Sequence, residues 1–221
     1  MHISAVELVE GISRELAATA DEIRSHRFLD LLGRRAIPDD RLRALAAEEH
    51  TIVHSDRRSF AQLAARFPDG PSGEFFLALA EGEGIALRKL RGLAEWLDLT
   101  GDDLHTYEPL PGAQAYPAFV AWLALNGSRL DVVLALLANF AAWGDNCGKA
   151  AAALREAYGA SDVAVAFFDF FTQAPPDFEN TALAVIEEAI ADGDSPTLAR
   201  RATRLLQAYE LSFWDTLTEG L

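Results

Sequence analysis

The sequence predicts an all-α fold, and three observations carry that expectation. Apolar residues recur at spacings of three and four along most of the 221-residue chain, as one buried helical face requires. Half of the residues are hydrophobic, rich in Ala and Leu with few turn clusters, a balance that favours helices over sheets. No segment shows a sustained strand pattern; "DVAVAFFDFFTQ" alone suits either state, and its neighbours are helical. The length fits one domain over residues 1–221 with a sizeable core.

The first helix is expected from Ser4-Ala5-Val6-Glu7, which has capping-box spacing, with Val6, Val9, Leu16 and Ile23 on its apolar face. "RFLDLLGRR" continues it as a short apolar turn. Pro38-Asp39-Asp40 restarts a helix that runs to about Arg66. "FPDGPSG" then breaks the chain by its Pro and Gly content, and a further helix covers Glu74 to Leu97. Thr100 to Pro117 reads as a long connection, followed by helices over 118–125 and 130–158. The aromatic-rich stretch is read as a helix ended by Pro175-Pro176. Helices over 177–191 and 196–219 close the chain, the last capped by Ser195 with Pro196 at its first position.

Charge and segment composition narrow the function classes. The net charge is −15, from 34 acidic and 19 basic residues; such a surface repels a phosphate backbone, so no nucleic-acid partner is expected. A single cysteine, Cys147, allows no internal disulfide and suits a cytoplasmic location. "MHISAVELVE" has no signal-peptide pattern. The longest apolar run, "VVLALLANFAAW", is short of the about 20 residues that span a bilayer, so no membrane partner is expected.

Several helices carry polar groups where core residues belong. In "RLRALAAEEHTIVHSDRRSF" the apolar stripe of Leu42, Leu45, Ala46, Ile52, Val53 and Phe60 also holds Glu49 and Asp56, about two turns apart. In the last helix Glu210 sits among Leu206, Tyr209, Phe213, Trp214 and Leu217. The helix from Val132 is apolar on every side, which marks it as central, yet it contains Asn139. Inward carboxylates with few basic partners describe a polar pocket better than a set of salt bridges. Asp56, next to Arg57 and Arg58, is read as structural or interfacial. Trp143 and Trp214 are candidates to stack on a flat heterocycle. His50 and His54 are four apart, a spacing that suits a metal, but no histidine follows His105; a glutamate such as Glu81 or Glu83 would have to complete such a set. No metal or other cofactor is therefore expected.

The order of these features resembles the TenA/thiaminase II family. The carriers are His26-Arg27-Phe28, Gly33, Ile37-Pro38 and Glu48-Glu49-His50, the connector "PLPGAQAYPAFVAWLALNGSRLDVVLALL", and Glu210, Phe213 and Trp214 in "ELSFWDTL". The resemblance spans nearly the whole chain and implies a heme-oxygenase-like multi-helix bundle and a homo-oligomer. It also implies a pocket in which Glu49 orients an aminopyrimidine, Glu210 handles protons and Tyr116 is the connector tyrosine. The family's nucleophilic cysteine falls at Phe140, and its other pocket tyrosines fall at Ile52, Gly144 and Gln173. Asn139, Phe140, Trp143 and Gly144 then wall the pocket from the central helix, with Trp214 nearby. The resemblance thus implies a small flat heterocyclic ligand, and either cysteine-independent, carboxylate-assisted hydrolysis of an aminopyrimidine or binding alone. The alternatives are a non-catalytic regulatory partner protein and, more remotely, a metal- or heme-dependent oxidase.

Overall fold

The structure, a computed structural model, describes residues 3–174 and 177–221. It contains α1 (Ala5–Glu15), α2 (Ala17–Arg24), α3 (Arg27–Gly33), α4 (Asp39–Arg66), α5 (Gly70–Trp96), α6 (Gly101–Thr106), α7 (Pro111–Asn126), α8 (Arg129–Tyr158), α9 (Asp162–Phe171), α10 (Phe178–Ala191) and α11 (Pro196–Thr218). No strand occurs among the described residues. The fold is all-α.

The capping box at Ser4 and Glu7 starts α1, but the helix runs only to Glu15 before a turn at Leu16 separates it from α2. Its buried face is Ala5, Leu8 and Ile12, so Val6, expected inside, is half exposed, while Leu16 and Ile23 are buried. His26 caps α3: its Nδ1 accepts the Phe28 N–H at 3.2 Å and its Nε2 faces Asp215 at 3.1 Å. A ring that accepts through Nδ1 carries its proton on Nε2 and donates it to the carboxylate. That pair ties the start of α3 to the end of α11.

Two boundaries differ from expectation because prolines begin helices as readily as they end them. α5 starts inside "FPDGPSG", with Pro71 in its first turn and Gly70 at φ +60° before it. The supposed connection from Thr100 to Pro117 holds α6, opened by a Thr100–Asp103 capping box, and the first turns of α7. Pro111 opens α7 and Pro117 lies buried within it. The buried Glu48 of α4 anchors this region, accepting the Tyr107 hydroxyl at 2.8 Å and the Leu110 N–H at 2.7 Å. The Pro175-Pro176 stop lies outside the described residues; α9 ends at Phe171.

α8 is central and packs against α11, α9, α10 and α3, while α4 and α5 lie side by side. Apolar side chains gather in two clusters, one around Phe28, Phe167, Phe168 and Trp214, the other around Phe60, Phe76, Leu134 and Leu206. Tyr116 packs against both. α9 is held closely at both ends. A Cβ on Gly92 of α5 would lie 2.2 Å from the Val163 carbonyl, and one on Gly144 of α8 would lie 2.9 Å from that of Phe171. Only glycine allows such backbone approach. No helix among the described residues is long and apolar enough to cross a membrane.

Candidate functional site

Where α4, α5, α7, α8 and α11 converge, the structure encloses a cavity of about 50 Å³. α4 delivers Glu49, Ile52, Val53, Asp56 and Phe60 to it, positions that share one helical face. α5 adds Glu83, α7 Tyr116, α8 Asn139, Phe140 and Trp143, and α11 Glu210 and Phe213; Leu136 and Phe171 complete the wall.

Four carboxylates border this small space and none is more than 8% exposed: Glu49, Asp56, Glu83 and Glu210. Among the described residues no ion pair involves any of them. Asn139 donates an amide N–H to Glu210 Oε2, which answers what a buried amide does in an otherwise apolar helix. Among the described residues Glu49 Oε1, Asp56 Oδ1 and Glu210 Oε1 are buried without a hydrogen-bond partner. A buried polar group left unpaired costs about 1–3 kcal/mol, so three such atoms on one cavity are a local cost of folding that sets this region apart from the rest of the core.

Burial sets the protonation of the site. Loss of hydration pushes Asp56 and Glu210 each up to about 8; Trp214 and the distant Arg24 oppose that rise at Glu210. The Trp214 Nε1–H nevertheless makes no formed hydrogen bond. Glu49 and Glu83 are raised well above the carboxylate range, first by burial and then by neighbouring carboxylates. Tyr116 is raised by burial and by all four acids, so its hydroxyl keeps its proton. The cavity therefore holds neutral acids at neutral pH, each able to donate as well as accept.

The structure brings together Glu49, Ile52 and Tyr116 with Asn139, Phe140, Trp143 and Glu210. Three expected pocket residues lie elsewhere. Gln173 is exposed, past the end of α9, in an outer groove. Gly144 faces the Phe171 backbone instead of the cavity. Trp214 stands behind the wall, its ring 6.0 Å from Trp143 and 5.6 Å from Phe28. Asp56 moves the other way: Arg57 and Arg58 are exposed while Asp56 lines the cavity, away from both. Its heptad spacing from Glu49 was the signal. Glu83, weighed only as a metal ligand, faces the same cavity. Cys147 is buried outside it, its thiol raised by burial and by Glu49 and Glu210, which keeps it from acting as a thiolate. Among the described residues no three His, Cys, Asp or Glu are grouped to hold a metal ion.

Glu83, Phe140 and Phe171 also line a wider outer groove of about 460 Å³. The two rings thus separate the cavity from the surface. Phe140 is braced edge-on against Phe178 at 4.9 Å, and Phe171 against Trp143 at 5.8 Å.

The all-α bundle is of the heme-oxygenase-like fold class. A domain of that fold from Shewanella denitrificans OS217 matches with a TM-score of 0.73 at 12% identity, covering 94% of this chain and 89% of that one. Residues 13–220 match the model of the TENA/THI-4/PQQC family, and the chain belongs to that family. A TenA homologue from P. horikoshii OT3 matches at TM-score 0.75 and 19% identity, covering 97% and 99% of the two chains. A Sulfolobus solfataricus P2 structure, provisionally described as a TenA-like thiaminase, matches at 0.65 and 14%, covering 95% and 94%. No curated protein sequence matches.

Proposed function

We propose that this chain is a TenA-type protein of thiamin-pyrimidine salvage that takes a small aminopyrimidine into the central cavity and hydrolyses its exocyclic C–N bond without a cysteine. The observation that carries this reading is the set of unpartnered oxygens on Glu49, Asp56 and Glu210 in one cavity, flanked by the rings of Trp143, Phe140 and Phe213. A heteroaromatic amine offers ring nitrogens, amino N–H donors and a flat face, and so meets both kinds of wall. Family membership and the Sulfolobus neighbour's description support the thiamin connection.

Glu210 is the group suited to move protons. At neutral pH it is protonated, and Asn139 holds one of its oxygens and leaves the other free. As the C–N bond breaks, the leaving nitrogen takes the Glu210 proton. A water oxygen bonds to the carbon, and Glu210 recovers a proton from that water. Glu49 holds the heterocycle by hydrogen bonds. The small size of the cavity, about 50 Å³, favours a single-ring ligand over the two-ring thiamin.

Calorimetric titration with thiamin, aminomethyl-pyrimidine and formylamino-pyrimidine, paired with a turnover assay, tests the reading. The wild type binds one pyrimidine and releases its nitrogen. Glu210→Gln keeps affinity within about tenfold and loses roughly 10²–10⁴ in rate, the range of general acid–base catalysis. Binding without turnover in the wild type would leave only a ligand-binding protein. A micromolar Kd for thiamin, or no binding of any pyrimidine, overturns the ligand assignment.

A further inference from the structure

On the opposite side of the α4–α5 pair lies a second concavity, of about 610 Å³, bordered by α6. Its residues differ in kind from those of the central cavity. His50, His54 and Arg57 come from one face of α4, and Arg88 and Arg91 from one face of α5. Among the described residues the only acid lining it is Glu95. This is an unusual balance for a chain with 34 acidic and 19 basic residues.

The guanidinium groups here are unspent. Elsewhere arginines such as Arg24, Arg129, Arg155 and Arg204 sit on carboxylates. Arg88 makes one bond, to its own helix at the Gly84 carbonyl, 2.8 Å away. Among the described residues Arg57 and Arg91 make no ion pair or hydrogen bond from their guanidinium groups. Arg57 is drawn over α5 because position 84 has no side chain: a Cβ there would lie 3.3 Å from the guanidinium carbon. Three cations and two imidazoles are thereby gathered around one hollow whose floor is apolar, from Leu87, Leu90, Leu99 and Leu104.

We propose that this groove binds an organic phosphate, a phosphoryl or pyrophosphoryl group carried on a compact apolar body. Forked guanidinium donors match phosphate oxygens in pairs, His50 and His54 add N–H donors, and the leucine floor takes the body. A metal ion does not fit, because the arginines repel it and, among the described residues, no three His, Cys, Asp or Glu are grouped to hold one. The concavity is of small-ligand size, which favours a small molecule over the acidic face of a second copy of the chain. The site is separate from the central cavity and does not depend on what binds there.

The test is titration calorimetry at low and moderate salt with inorganic pyrophosphate, phenyl phosphate and phenol, on the wild type, Arg57→Ala, Arg91→Ala and Glu210→Gln. Both arginines are exposed, so circular dichroism should show intact folds. Expected is one saturable site for pyrophosphate and for phenyl phosphate, with phenyl phosphate also binding better than inorganic phosphate titrated alongside, and phenol not at all. Each arginine variant should lose roughly tenfold or more, with Glu210→Gln unchanged. Absence of saturable anion binding, or binding indifferent to both arginine variants, overturns the proposal. A drop in oligomeric mass in the arginine variants without any anion affinity overturns it too, and assigns the groove to contact between copies.

Discussion

Asp56 shows how far burial governs this site. Its carboxyl is 4% exposed, has an unpartnered oxygen and titrates near 8, where the unfolded chain titrates near 3.8. Glu210 behaves alike, from 4.5 to about 8. Between those values the folded protein keeps protons that the unfolded chain has released, so stability falls as pH rises. The stabilisation is complete below about pH 4 and is lost as pH climbs through 8. The melting temperature should therefore fall between pH 5 and 8. Asp56→Asn, neutral throughout, should flatten that slope and gain roughly 1–3 kcal/mol at pH 8, about 2–4 °C per kcal/mol. A wild-type melting temperature that rises over this window would contradict the buried neutral acids. At this scale the sequence revealed a good deal: Glu49, Asp56 and Glu210 each break an apolar stripe at helical spacing. Asp56 was set aside because two arginines adjoin it in sequence, yet neighbours on a helix point about 100° apart. Glu83 carried no comparable signal between Gly82 and Gly84.

Among the elements, α7 and its approach were the hardest to foresee. Tyr107 and Leu110 are held by one buried carboxylate, Glu48, a contact between residues about sixty positions apart that no local pattern encodes. Glu48→Ala should strip both bonds and cost about 2–4 kcal/mol. Hydrogen exchange should then quicken over residues 107–110 before the rest of the chain; uniform quickening would show that the anchor is not local. Pro117 misled in the same region, since a proline reads as a helix start whereas here packing holds it inside a helix. The long helices were plain from their periodicity and caps: α8 opens at the Ser128–Asp131 box and closes on Gly159 at φ +73°, and α11 begins one residue after its Ser195 cap.

For the molecule as a whole, α4 and α5 form a partition with carboxylates on one side and arginines and histidines on the other. The cavity on the acid side meets the outer groove where Phe140 and Phe171 stand. Phe140→Ala should join the two spaces, speed ligand association by about tenfold or more and admit larger heterocycles, read by stopped-flow mixing. Unchanged rates and selectivity would place the entrance elsewhere.

The glycine contacts at the two ends of α9 bear on how anything enters. With its backbone seated on α5 at Gly92 and on α8 at Gly144, α9 cannot slide or tilt without breaking carbonyl-distance packing. What is left to move is a pair of phenyl rings, and rotamer hops are far faster than collective shifts of helices. The doorway is thus a turnstile in a fixed frame: observed association rates should climb in proportion to ligand concentration, with no plateau set by a slow rearrangement of the bundle.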